Sequence, residues 1–149
     1  MENCIFCKIV KGEISSYKIY EDKKFLAILD INPNTEGMTI VLTKKHYPSY
    51  AFELPENVYQ DLMLVTKKVA KLLDKKLNVK RTAMIMEGMG IDHVHIKLYP
   101  LHGLKDEFTE MWANGRIFFD KYKGYVTTKL GPKADSKKLE ELTKRIGSK

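Results

Sequence analysis

The sequence has only two cysteines and no apolar run longer than Phe25–Leu29. Two thiols cannot staple a disulfide-rich mini-protein. At 149 residues none is needed, because folding buries roughly two-thirds of the unfolded chain's surface. An apolar run of that length falls far short of the ~20 residues that cross a bilayer, so no membrane partner is expected. The opening Met1-Glu2-Asn3-Cys4 lacks the basic and apolar regions of a secretory signal, which predicts a cytoplasmic protein. Repeats, low-complexity tracts and Pro/Gly/Ser-rich linkers are missing too, so nothing divides the chain into separate units. What remains, 44% apolar and 30% charged, is the balance of one soluble globular domain.

The charge is +7, and its position says more than its size. Lys129–Lys149 holds seven basic and three acidic residues, so this tail carries +4 of the total. A solvated helical tail is the simpler reading. A nucleic-acid surface would interleave aromatic side chains with the bases, and none follows Tyr125. Nucleic acid is therefore not the expected partner, and a basic nucleic-acid-binding protein is the lesser alternative.

The pattern along the chain alternates strands and helices unevenly. Tyr17–Glu21 and Lys24–Asp30 read as strands around an Asp22-Lys23 turn. Asn32–Gly37 is a loop of turn formers, and Met38–Thr43 returns as a strand. A helix is predicted from Pro55 to Leu77-Asn78, where Val58, Leu62, Val65, Val69, Leu72 and Leu73 recur at steps of three and four. Thr82–Glu87 and Asp92–Tyr99 are strands flanking Gly88-Met89-Gly90. The aromatic-rich stretch from Lys105 to Gly124 has no dominant period. Asp135 or Ser136 can cap a last helix bearing Leu139, Leu142 and Ile146. The order predicts an α+β fold with a largely antiparallel sheet.

Chemistry concentrates in Asp92-His93-Val94-His95-Ile96-Lys97-Leu98-Tyr99. Strand alternation sets His93, His95, Lys97 and Tyr99 on one face, about 7 Å apart, with Val94, Ile96 and Leu98 turned to the core. An imidazole can attack phosphorus and leave again near neutral pH, and an ammonium can neutralise phosphate. Cys4-Ile5-Phe6-Cys7 admits three readings, a redox dithiol, half a metal site or two inert thiols. A closed zinc site would take its complement from His46, His93, His95 and His102, and spacing alone does not choose among them.

Three segments together resemble the histidine triad (HIT) superfamily of nucleotide hydrolases and transferases. They are Cys4–Ile14, then Phe25–Pro33 with Gly37–His46, and last His93-Val94-His95-Ile96-Lys97-Leu98-Tyr99-Pro100, which is similar to the family's His-x-His-x-His-x-x signature. The likeness spans about residues 3 to 103. It implies an antiparallel sheet of about five strands with one long helix, a homodimer, and a pocket for a purine nucleotide or nucleotide conjugate. On this likeness residues 1–104 form the nucleotide-binding part, and 105–149 a C-terminal extension of the same domain with a basic helical tail. The likeness makes His95 the nucleophile, which would carry a nucleotidyl-histidine intermediate. It gives Asp30 the ribose hydroxyls, with Ile31 and Asn32 beside them, and makes Cys4, Cys7, His46 and His93 ligands of a structural zinc.

The chain departs from the family pattern at Lys97, at Met38 and in the short loop Gly88-Met89-Gly90, which lacks the polar residues usually found before the signature. Lys97 stands where hydrolase members have the third histidine, and Met38 where a histidine commonly follows the glycine. Lys97 is expected to bind a phosphate oxygen. The implied function is a nucleotide hydrolase or nucleotidyltransferase acting on a nucleoside phosphoramidate, dinucleoside polyphosphate or nucleotidyl ester. The alternative is a module that binds nucleotide or dimerises without catalysis.

Overall fold

The computed structural model describes residues 3–105 and 133–147. Its elements run α1 (Ile5–Lys11), β1 (Lys18–Glu21), β2 (Phe25–Leu29), β3 (Thr39–Thr43), a 3₁₀ turn (Ala51–Glu53), α2 (Glu56–Leu77), β4 (Thr82–Ile85), β5 (His95–Pro100) and α3 (Ser136–Gly147). The five strands form one sheet in the order β1-β2-β3-β5-β4, and every neighbouring pair is antiparallel. This is the α+β architecture anticipated from the pattern. Most of the segment from 105 to 124, which had no dominant period, lies outside the described residues.

Both faces of the sheet are covered, and for this reason β2 and β3 are buried at every position. On one face Ala27, Leu29, Val41, Val94, Ile96 and Leu98 pack under α2, which presents Leu62, Val65, Val69 and Leu73 at helical spacing. The α3 helix adds Leu139 and Ile146 to the same cluster. Asp135 rather than Ser136 caps it, accepting the Lys138 backbone N–H at 3.0 Å. On the other face Leu26, Ile28, Ile40 and Leu42 pack under α1 through Phe6 and Ile9.

The short helix α1 is the main element that periodicity misses. Seven residues are too few to show a stripe, and a helix this short owes its stability to packing rather than propensity. Gly12, in the left-handed conformation, closes it with its N–H to the Ile9 carbonyl at 3.0 Å, and the Glu13 N–H reaches the Lys8 carbonyl at 2.9 Å. Among the described residues no helix is long and apolar enough to cross a membrane.

Candidate active site and metal centre

The polar face of the signature strand is not a wet ridge. Alpha1 lies over it, and His93 and His95 are buried, as is Tyr99. Phe6 meets both imidazoles edge-on, with ring centroids 5.7 Å from His93 and 5.1 Å from His95. One aromatic side chain thus packs the two rings in place from above.

The two histidines are held by opposite nitrogens. His93 Nε2 donates to the Thr43 carbonyl at 2.8 Å, which leaves Nδ1 with a lone pair. His95 Nδ1 donates to the His93 carbonyl at 2.7 Å, which leaves Nε2 with the lone pair. Burial pushes the His95 imidazole down from its ordinary value, and the His93 carbonyl bond pulls the other way. A neutral ring with a free Nε2 is a nucleophile in its reactive form.

His93 Nδ1 faces a cluster formed with Cys4, Cys7 and His46, whose ligand atoms all lie within 4.8 Å of one another. Zinc takes nitrogen at 2.0–2.1 Å and sulfur at 2.3 Å, so a tetrahedron would set N···N at about 3.3 Å and N···S at about 3.5 Å. The cluster has His46 Nδ1 to His93 Nδ1 at 3.3 Å, and sulfur–nitrogen separations of 3.4, 3.5 and 3.6 Å. Burial and the neighbouring Cys4 thiol push the Cys7 thiol up, so the Cys7 sulfur resists ionising unless a cation stands beside it. The donors, their separations and the Thr43 carbonyl behind His93 all fit a metal ion. These four residues are positioned to bind one. His102 is elsewhere, donating from Nε2 to the Glu36 carbonyl at 3.0 Å.

Beside the cluster, under the same helix, is a cavity of about 600 Å³. Asp30, Ile31, Asn32, His95 and Lys97 all line it, so the proposed substrate-binding and nucleophilic residues stand around one space. Asp30 is buried, and its Oδ1 caps the turn after β2 by accepting the Asn32 N–H at 2.8 Å. The walls are largely isoleucine, with Phe6 against the His95 ring. A hollow of about 680 Å³ between the 30–38 loop and α3 includes Asp30 and Met38 but neither His95 nor Lys97. Met38 is buried and lines this hollow rather than the cavity of His95.

One cavity residue has no counterpart in the sequence reading. Glu87 lines the space and pairs with the Lys97 ammonium. It follows β4, where Ile85 is opposite Lys97, so continuing that register brings Glu87 beside His95. Gly88 fixes the turn that follows. Its φ is +68°, and a Cβ there would stand 2.9 Å from the Ser49 carbonyl oxygen, so no other residue fits without a backbone shift. The same Ser49 donates its hydroxyl to the Gly88 carbonyl at 2.8 Å. Tyr99, further along β5, is pushed up to about 12 by burial and then by the Glu87 and Asp30 carboxylates.

Residues 11–103 match the family model for the HIT domain. The chain belongs to the HIT family. It is 39% identical over 102 residues to a HIT-like protein of Methanocaldococcus jannaschii, across 65% of this chain and 78% of that one. Adenosine 5'-monophosphoramidase HNT1 of Candida albicans is 34% identical over 154 residues, across 92% of this chain and 97% of its own. Among solved structures, a hypothetical histidine triad nucleotide-binding protein from Sulfolobus tokodaii superposes with a TM-score of 0.73 at 29% identity. That match covers 97% of this chain and 89% of the other. The HIT fold and the sequence resemblance thus agree from β1 to β5.

Proposed function

We propose that this HIT protein is a nucleotide hydrolase or nucleotidyltransferase working through a covalent nucleotidyl-histidine on His95. The observation that carries the reading is the His95 Nδ1 bond to the His93 carbonyl at 2.7 Å, on a ring that lines the cavity. Among the described residues no protein group holds Nε2, and the imidazole is free to attack. The likeness to a phosphoramidase supports a nucleoside phosphoramidate as substrate, with nucleotidyl esters and dinucleoside polyphosphates as the wider class.

In this mechanism Nε2 bonds to the α-phosphorus as the bond to the leaving group breaks. Water then attacks the phosphorus and frees the imidazole. Its hydroxyl ends on the nucleotide, and its remaining hydrogen replaces the proton taken up by the leaving group. Asp30, with Ile31 and Asn32, holds the ribose, and the isoleucine walls flank a purine. Lys97 faces a phosphate oxygen.

The metal is zinc in this reading, and its role is structural because protein ligands fill all four places. Reduced thiols suit a cytoplasmic setting. Among the described residues β4 is an edge strand, which supports pairing with a second copy, and in this reading the protein is a homodimer. Light scattering of the purified chain tests that assembly.

The decisive experiment is incubation with adenosine 5'-phosphoramidate. AMP release is expected from the natural chain and not from H95A, which should still bind nucleotide. Equal release by H95A overturns covalent catalysis. Binding without release by the natural chain favours the non-catalytic module.

A further inference from the structure

We infer that the C-terminal helix is coupled to nucleotide binding, with Ala134 as a positioning residue that fixes the turn after β2 through its backbone N–H. This rests on the reading of Asp30, Ile31 and Asn32 as the residues that hold the nucleoside. No residue of α3 lines the cavity. The helix is anchored in the core under α2, where Leu139 and Ile146 are buried. Just ahead of it, Ala134 packs against the same core and donates its N–H to the Ile31 carbonyl at 2.9 Å. An element fixed by apolar packing thus grips the backbone of a residue that lines the cavity.

The bonds along residues 30–38 show why that grip matters. The Asp30 N–H still donates to the Met38 carbonyl, at 2.9 Å, and beyond it the chain leaves the sheet. The Asn32 N–H to Asp30 Oδ1 bond, at 2.8 Å, shapes the turn from within but ties it to nothing outside. Further on, residues past β5 hold the loop. The Thr35 hydroxyl donates to the Pro100 carbonyl at 3.0 Å, and His102 Nε2 donates to the Glu36 carbonyl at 3.0 Å. At Ile31, whose side chain is half exposed, the hold comes from the tail. A nucleoside that needs this turn in one place must otherwise order it on binding, which weakens affinity and leaves the chemistry at His95 alone. Coupling of this kind is reciprocal, so a bound nucleotide must in turn steady the Ala134 bond.

The test has two arms. In the first, KM and kcat for adenosine 5'-phosphoramidate are compared in the natural chain, A134P and A134S. A134P removes the N–H and should raise KM about fivefold, the factor that one ordinary hydrogen bond carries, with kcat per folded molecule unchanged. A134S keeps the N–H and should restore the natural KM. A merely structural role for Ala134 would lower the folded fraction, and with it the apparent kcat, without moving KM. In the second arm, saturating AMP should slow hydrogen exchange at the Ala134 amide of the natural chain by a similar factor. A folded A134P with the natural KM, or an Ala134 amide indifferent to AMP, overturns the inference while nucleotidyl transfer at His95 stands. Should A134P fail to fold, the exchange measurement decides alone. A natural chain that neither binds AMP nor turns over the phosphoramidate removes the proposed function and this inference with it.

Discussion

His93 and His95 are two residues apart, under one helix and against one phenylalanine, yet they present opposite nitrogens. His93 is tied through Nε2 to Thr43 and offers Nδ1 to two sulfurs and an imidazole. His95 is tied through Nδ1 to the backbone of His93 and offers Nε2 to an open cavity. A carbonyl in the right place selects the tautomer, and the tautomer selects the role. One end of the strand is closed by four ligands and the other is left with room for a ligand of nucleotide size. The difference is sharpest when each end is broken separately.

The largest effect is expected at the open end. H95N should reduce turnover on the order of 10⁴-fold, as loss of a nucleophile does, while the metal content and melting temperature stay close to the natural values. Activity, elemental analysis and thermal melting on one preparation check this. A metal lost along with activity would mean that the two ends are not separable.

The closed end should respond the other way round. C7S is expected to lose the metal and with it most of the stability the ion supplies. That amounts to about 4 kcal/mol when free metal stands at a thousand times its dissociation constant. About one zinc per chain should be found before the substitution and none after it. Chelation of the natural chain should reproduce the melting shift, and a metal-free protein of undiminished stability would refute the centre. Turnover should fall only through the unfolded fraction, because no metal ligand lines the cavity.

Much of this was readable before any coordinates. The five strands and α2 follow from apolar spacing, with ends displaced by only a few residues. The alternation in residues 93–99 put both histidines and Lys97 on one face. What alternation cannot reveal is whether a polar face is wet, since that depends on what lies above it. Here α1 lies above it, a helix too short to show periodicity, and it turns an apparent solvent ridge into a buried centre. The metal cluster joins positions up to 89 residues apart, a proximity created by the sheet and not by local spacing. Glu87 lay outside every motif, and its place in the cavity beside Lys97 appears only from the fold.

The face under α2 carries packing and no chemistry, so damage there should lower stability alone. Leu73 is wholly buried among the strand residues, and L73A should cost about 3 kcal/mol through lost contacts and the space left behind. Denaturant unfolding measures this. The folded fraction should keep its metal content and its activity per molecule, which distinguishes a packing position from a site position.

The smallest effect concerns the basic tail, where one helix holds both kinds of contact side by side. Ile146 is wholly buried in the main core, while its neighbour Arg145 pairs with Glu36 on the surface, both about half exposed. Solvent and salt screen such a pair, and fixing two mobile side chains offsets part of the attraction. R145A should therefore cost less than about 1 kcal/mol, and the difference should vanish at high salt. I146A, one residue on, should cost several times more and be insensitive to salt. If R145A proves the more damaging of the two, α3 is held by its charges and not by its apolar stripe. The tail would then be fastened to the 30–38 loop, and through Asp30 to the cavity, electrostatically.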